Sequence, residues 1–175
     1  MHIPPVSFTD NQDVYDNFLE KYKTHDKGFF ILAPSGAGKS YFCKNQAQPD
    51  WIDGDELWIA TKAHPEGAWW TEPLETIFRI DKRSDVITME AKELGLWVMG
   101  ASNNWLKPDA VVVPPWETHV GYIKAREENN YDGGATSDKL DQVKNHIADI
   151  KKWNTDHGVP LFESIDEAVA FLTRS

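Results

Sequence analysis

The fold is decided by residues 29–42, FFILAPSGAGKSYF, in which an apolar run leads into a glycine-containing turn and then into a helix-like segment. FFIL has the composition of a short strand that is buried on both faces. The runs WID, LWVMGA, AVVVP and VPLF fit the same description, and helical patterns lie between them. Strands that alternate with helices favour a parallel sheet covered on both faces through right-handed crossovers. We therefore expect one α/β domain over residues 1–175, with five mainly parallel strands and ligands bound at their carboxyl ends.

Helical periodicity marks several of the intervening segments. Gly28 is predicted to close the first helix and Gly95 a later one, while Ser137 is predicted to cap the helix that follows it. Ser164 and Glu167 form the sequence pattern of a capping box. The apolar faces are formed by Val14, Phe18 and Tyr22 in the first helix and by Leu140, Val143, Ile147 and Ile150 in the one after Ser137.

Composition limits the classes of protein to consider. The formal net charge of −10 opposes an extended nucleic-acid interface, because such binding depends on Lys and Arg that neutralise phosphates. The lone Cys43 excludes an internal disulfide and a multi-cysteine zinc site. MHIPPVSFTD lacks the pattern of a signal peptide, and no apolar run reaches the ~18 residues of a membrane span. We expect a soluble cytoplasmic protein without membrane contact, and the oligomeric state stays open.

The segment APSGAGKS predicts phosphate binding. Gly36 and Gly38 can take backbone conformations closed to residues with a β-carbon, so that successive N–H groups turn inward as an anion nest. Lys39 supplies a charge for the β and γ phosphates, and Ser40 offers a hydroxyl to Mg²⁺. Ala33 replaces the first glycine of the stricter motif but leaves the nest intact. The residues expected to bind nucleotide are Ser35, Gly36, Ala37, Gly38, Lys39, Ser40 and Tyr41.

Two acids follow the second predicted strand in WIDGDEL. A carboxylate at Asp53 or Asp55 could orient an acceptor hydroxyl and take its proton, while the other carboxylate could hold a Mg²⁺-bound water. The alternative is an ordinary Asp-Gly turn that caps the next helix.

Together APSGAGKS and WIDGDEL resemble the motifs of the P-loop kinases, specifically the small gluconate, shikimate, adenylylsulfate and nucleoside monophosphate kinases. The resemblance implies a three-layer α/β/α P-loop NTPase fold and an ATP- and Mg²⁺-dependent transfer of the γ-phosphoryl group to a small acceptor. It implies catalytic roles for Lys39, Asp53 and Asp55, with Ser40 and Asp53 serving the metal, and leaves open which acid is the base. Neither LWVMGA nor AVVVP ends in the Asp of motor ATPases, and the Asn-Lys-x-Asp motif of GTPases does not occur.

Residues 60–90 occupy the place where such kinases bind their acceptor. Trp69 and Trp70 could stack on a base or sugar, and Arg79 and Arg83, four apart, could grip a phosphate or carboxylate. Alternatively, the arginines form ion pairs on a solvent-exposed helix face with nearby acids, namely Glu75, Asp81 or Asp85. After the third strand, Ser102, Asn103 and Asn104 are as well suited to a helix cap as to substrate contact.

Residues 116–136 occupy the place of the lid in similar kinases and look like a polar, turn-rich segment. Arg126 is the first candidate to stabilise charge on the transferring group, followed by Lys124 and then Lys139. Gly133-Gly134 is a plausible hinge. Alternatively, these cations only neutralise the negative charges of neighbouring glutamates. His64 and His119 lack the spacing of metal ligands and are interpreted as surface or packing residues.

The acceptor is expected to be a nucleoside, a nucleotide or a modified base, because Trp69 and Trp70 could stack on a base. One alternative is a kinase of polynucleotide ends or of hydroxymethylated bases in DNA. Another is a non-catalytic, nucleotide-binding regulatory module.

Overall fold

The structure is a computed structural model that describes residues 6–129 and 135–174. It is an α/β protein in which short strands alternate with helices, as predicted. The strands are β1 (Phe29–Leu32), β2 (Trp51–Asp53), β3 (Trp97–Gly100), β4 (Ala110–Val112) and β5 (Leu161–Phe162). The helices are α1 (Gln12–Lys21), α2 (Lys39–Asn45), α3 (Gly54–Ala60), α4 (Leu74–Glu93), α5 (Trp116–Glu128), α6 (Leu140–His157) and α7 (Ile165–Thr173), with short 3-10 turns at Trp69–Thr71 and Ser137–Lys139.

The five strands form one parallel sheet in the order β2-β3-β1-β4-β5. Register is set by pairs such as Ile31 with Ala110 and Trp51 with Trp97. Strand β4 is fully buried, as expected of a parallel strand that has helices against both faces. The prediction of a five-stranded parallel sheet is confirmed, and the arrangement is compatible with a three-layer α/β/α fold.

The chain divides into two compact units, each made of two stretches of sequence. The described residues of the first unit are 6–30 and 45–106, and those of the second are 31–44, 107–129 and 135–174. In the first unit α3 and α4 pack on β2 and β3, and in the second α6 and α7 pack on β4.

The first unit is organised around Trp58, a fully buried side chain on α3. Its indole Nε1 donates to Thr88 Oγ1 at 2.9 Å, which satisfies the one polar atom of the ring. The ring packs closely against the backbone, because a Cβ placed on Gly100 would come within 2.2 Å of it and one on Gly54 within 2.7 Å. Both glycines are therefore required by the volume of Trp58.

In the second unit, the predicted apolar face of α6 and the predicted cap of α7 are confirmed. Val143, Ile147 and Ile150 form the buried face of α6. Ser164 Oγ accepts a hydrogen bond from the Glu167 backbone N–H at 3.2 Å and so caps α7.

Three glycine and serine predictions have different outcomes. Gly95 ends α4 with φ 80°, as expected. Gly28 does not close α1, which ends at Lys21. It is a glycine because a Cβ there would lie 2.2 Å from the Lys92 carbonyl oxygen. Ser137 is not the cap of α6, because a 3-10 turn precedes that helix and the Ser137 hydroxyl donates to Glu127 at 2.8 Å.

Throughout residues 6–129 and 135–174, no helix has both the length and the apolar character that crossing a bilayer would take.

Candidate functional site

The glycine loop, residues 33–38, connects β1 to α2 within the second unit. Gly36 has φ 81° and Gly38 has φ 101°, values that residues with a Cβ rarely adopt. Lys39 is buried, and its Nζ donates to the carbonyls of Ala33 at 3.0 Å and Pro34 at 2.6 Å. The loop therefore encloses the positive charge of the lysine that follows it.

The other residues predicted to bind nucleotide lie in the same loop or in the first turn of α2. Ser35 is half-buried, and its Oγ accepts a hydrogen bond from the Ala135 backbone N–H at 2.9 Å. Ala37 is buried and Ser40 is half-buried. Tyr41 is 75% exposed, so its ring extends mostly into solvent.

Helix α5 presents one face to the glycine loop. A Cβ placed on Gly36 would lie 2.7 Å from Ile123 Cγ1 and 3.5 Å from both Arg126 Nη1 and His119 Nε2. Trp116 belongs to the same face, with its ring 6.1 Å from that of His119. The structure thus brings Arg126 to the loop that holds Lys39.

The segment predicted as a turn-rich lid, 116–136, is mostly helix, because α5 covers its first thirteen residues. The spacing 116, 119, 123 and 126 is that of one helical face, and it is the sequence signal that the turn-rich interpretation missed. Lys124 is exposed on α5, and Lys139 is exposed in the 3-10 turn before α6. The predicted Gly133-Gly134 hinge lies outside the described residues.

His119 was interpreted as a surface or packing residue, and the structure gives it a specific partner. The imidazole is fully buried, and its Nε2 donates to the Ser35 carbonyl at 2.7 Å. Burial lowers the pKa of His119 below its ordinary 6.5; the charges of Lys39 and Arg126 act in the same direction, and the bond to Ser35 opposes them. The ring is therefore a neutral imidazole with its proton on Nε2.

In the first unit, Asp53 and Asp55 lie where β2 passes into α3. Asp53 Oδ1 accepts the Asp55 backbone N–H at 3.1 Å and caps α3, as the Asp-Gly-turn alternative anticipated. Asp55 is exposed in the first turn. Within the described ranges, no group of three or more His, Cys, Asp and Glu side chains could hold a metal ion by itself.

The two predicted stacking residues, Trp69 and Trp70, form a 3-10 turn and meet edge to face with ring centres 6.0 Å apart. Trp69 also packs edge-on against His64, at 4.5 Å between ring centres. Trp70 is 40% exposed and so presents aromatic surface to solvent.

The two predicted acceptor arginines are on α4 but have different surroundings. Arg79 is 45% exposed, and its Nη2 lies 3.9 Å from Oε1 of Glu75, one helical turn earlier. This is the ion pair that the alternative interpretation predicted. Arg83 donates to the Lys62 carbonyl, and its Nε is buried with no hydrogen-bond partner in the part of the chain that the structure describes. Desolvation lowers the pKa of Arg83. These contacts hold Arg83 against the loop that follows α3.

Helix α4 also carries two carboxylates, the half-buried Asp81 and the buried Asp85, which the sequence predicted only as partners of the arginines. Asp81 accepts a hydrogen bond from the Ser102 hydroxyl. Asp85 is fully buried, and its Oδ2 accepts the backbone N–H groups of Asn104, Trp105 and Leu106 at 2.8, 2.7 and 3.1 Å. The segment after β3 is therefore held in place by α4.

The pKa of Asp81 is raised to about 7, mainly by burial and to a smaller extent by the charge of Asp85, while the bond from Ser102 acts in the opposite direction. The pKa of Asp85 is also raised by burial, and its three N–H donors oppose that effect. The i, i+4 spacing of these two acids on one helix was the signal available in the sequence.

Next to this pair, His64 Nε2 lies 2.8 Å from Ser84 Oγ. The single proton of Ser84 goes to the Ile80 carbonyl at 3.1 Å, so the imidazole is the donor to the hydroxyl. Burial, together with the charge of Arg83, lowers the pKa of His64 to about 3. His64 is thus a neutral packing residue, as predicted for it.

In comparisons with known proteins, no protein-family model matches this chain and no curated protein matches it. The geometry of the two units therefore carries the functional argument.

Proposed function

We propose that the chain is a cytoplasmic P-loop kinase with the three-layer α/β/α fold of P-loop NTPases. In this proposal it transfers the γ-phosphoryl group of ATP, with Mg²⁺, to a small acceptor that carries a hydroxyl or phosphate. A nucleoside, nucleotide or modified base is the favoured acceptor.

The observation that carries the proposal is the arrangement around the glycine loop. Two glycines at positive φ, the enclosed ammonium group of Lys39 and the guanidinium group of Arg126 belong to one compact unit. A glycine loop of this backbone conformation with two cations beside it suits the β and γ phosphates of a nucleoside triphosphate. A loop that only turned the chain would need neither the buried lysine nor the arginine.

Bound ATP would supply the phosphoryl group, and the residues of the chain would position and stabilise it. Lys39 would leave the loop carbonyls to neutralise the β and γ phosphates, and Ser40 would offer its hydroxyl to Mg²⁺. Arg126, already next to Gly36, would stabilise charge that develops on the transferring group. Lys39, Ser40 and Arg126 would thus each have a separate electrostatic role.

A separate set of residues would serve the acceptor. Asp53 and Asp55 would organise the metal and take the acceptor proton, in an order that the proposal leaves open. The exposed face of Trp70 and the partly exposed Arg79 offer stacking and charge to a nucleotide-like molecule. This supports a nucleoside, nucleotide or modified base over a sugar acid.

The test is incubation of the purified protein with labelled ATP, Mg²⁺ and a panel of acceptors, followed by mass analysis. The panel holds nucleosides, nucleotides, sugar acids, and DNA with and without hydroxymethylated bases. We expect one small acceptor to gain a phosphoryl group. Lys39→Ala should abolish the transfer, whereas Lys44→Ala, an exposed lysine of the same helix, should not.

Two further measurements separate the alternatives. With a polynucleotide acceptor, affinity would fall steeply between low and moderate salt, whereas with a small acceptor it would change little. Changing Asp53 and Asp55 together to Asn should abolish transfer in a kinase but leave ATP binding largely intact. ATP binding without phosphorylation of any acceptor would refute the kinase and favour a regulatory module.

A further inference from the structure

The strongest unassigned feature is the hydrogen bond from His119 to the glycine loop. The imidazole is fully buried on α5, and its Nε2 donates to the Ser35 carbonyl at 2.7 Å. Residues 35 and 36 are only one peptide apart, and Gly36 is one of the two glycines at positive φ. The bond therefore acts on a peptide unit of the loop itself.

The direction of that peptide follows from covalent geometry. The described chain contains no cis peptide, and in a planar trans peptide the C=O and N–H bonds point in opposite directions. Because His119 holds the Ser35 oxygen on one side, the Gly36 N–H is directed to the other side. If this peptide rotated by half a turn, the Ser35 carbonyl oxygen would take the place of the Gly36 N–H. The partial negative charge of that oxygen would repel a phosphate.

The bond is also specific in its chemistry. The Ser35 carbonyl can only accept, so Nε2 must carry the proton. The opposite ring nitrogen, Nδ1, is buried with no hydrogen-bond partner among the described residues. A cationic ring would bury an unpaired N–H next to Lys39 and Arg126, whose charges already disfavour it. The groups around His119 thus preserve the one tautomer that can hold the carbonyl.

We propose that His119 is a positioning residue of the nucleotide site, which fixes the Ser35–Gly36 peptide so that its N–H serves as a phosphate donor. It acts through the loop and need not touch the nucleotide. The inference rests on the proposed function only in that the glycine loop must bind the phosphates of a nucleotide.

The test compares two substitutions of similar volume. His119→Gln keeps an N–H near the position of Nε2, whereas His119→Met fills the space without a donor. ATP affinity of the full chain is measured by calorimetry. We expect about a three- to tenfold loss of affinity in the Met variant, the range set by one hydrogen bond, and near wild-type affinity in the Gln variant. His157→Gln, at an exposed histidine that ends α6, is the control for histidine replacement.

The folding of every variant is checked by urea unfolding. If the Met variant does not fold, His119→Asn replaces it, because that side chain is too short to place its N–H at the Nε2 position. Equal affinity in the wild type, Gln and Met or Asn variants would overturn the inference, and so would equal losses in all the variants of His119. Wild-type protein that binds no ATP would instead refute nucleotide binding itself. ATP binding without phosphoryl transfer would refute the kinase and leave the role of His119 intact.

Discussion

Asp81→Asn should make the protein more stable at high pH while changing it little at low pH. The Asp81 carboxyl is largely enclosed beside Ser102 and the fully buried Asp85. An asparagine is nearly the same size, keeps an oxygen to accept the Ser102 hydroxyl, and carries no charge. The substitution therefore removes the ionisation of one carboxyl and little else.

The size of the effect follows from the pKa of Asp81, which is about 7 in the folded protein against an ordinary 3.8. The folded state binds the proton more tightly than the unfolded state, so the stabilising contribution is complete below pH 3.8 and is lost as pH rises through 7. Full ionisation would cost about 4 kcal/mol, and between pH 5 and pH 9 the wild type should lose on the order of 3 kcal/mol relative to the Asn variant.

The assay is urea unfolding followed by tryptophan fluorescence and by circular dichroism at pH 5, 7 and 9. The Asn variant should be more stable than the wild type by about 1–2 kcal/mol at pH 5 and by about 4 kcal/mol at pH 9. Glu93→Gln removes an exposed charge from the same helix and should change stability by less than about 0.5 kcal/mol. Parallel pH profiles for wild type and Asp81→Asn would refute the reasoning, because Asp81 would then ionise equally well in the folded and unfolded states.

Three further substitutions test single features of the fold. Gly36→Ala forces a side chain into positive φ and brings its Cβ to 2.7 Å from Ile123, so we expect about 1–2 kcal/mol lower stability and at least about tenfold weaker ATP binding by calorimetry. Gly100→Ala places a methyl group 2.2 Å from the Trp58 ring and should cost about 1–3 kcal/mol in urea unfolding; an unchanged midpoint would show that the ring can move aside. Ser164→Ala removes the cap of α7 and should cost about 1 kcal/mol, lowering the thermal midpoint, whereas Ser164→Asp should retain it.

Much of the fold could be predicted because the decisive residues act locally. A strand buried on both faces shows as an unbroken apolar run, and the runs at β1 to β4 are of this kind. Gly95 and Ser164 act on the backbone within a few residues of themselves, so their roles are visible in the sequence. Gly28 was misinterpreted because its reason is distant: it makes room for Lys92, more than sixty residues along the chain.

The candidate site also combines features set by neighbours in sequence with features set by distant residues. The positive φ of Gly36 and Gly38 and the enclosure of Lys39 involve neighbours in sequence, and the motif predicted the loop. The hydrogen bond from His119 spans 84 positions, so only folding reveals it. Arg126 lies next to the loop, but the helix that places it there was not predicted from the sequence.

By itself, the sequence determined the alternation of strands and helices and the glycine loop after β1. Those features follow from apolar periodicity and from the backbone freedom of glycine, both of which are properties of short segments. Only the tertiary structure decided which side chain of α5 holds the Ser35 carbonyl and which acids of α4 are buried. Burial and long-range hydrogen bonds depend on residues far apart in the chain, and they set the tautomer of His119 and the pKa of Asp81.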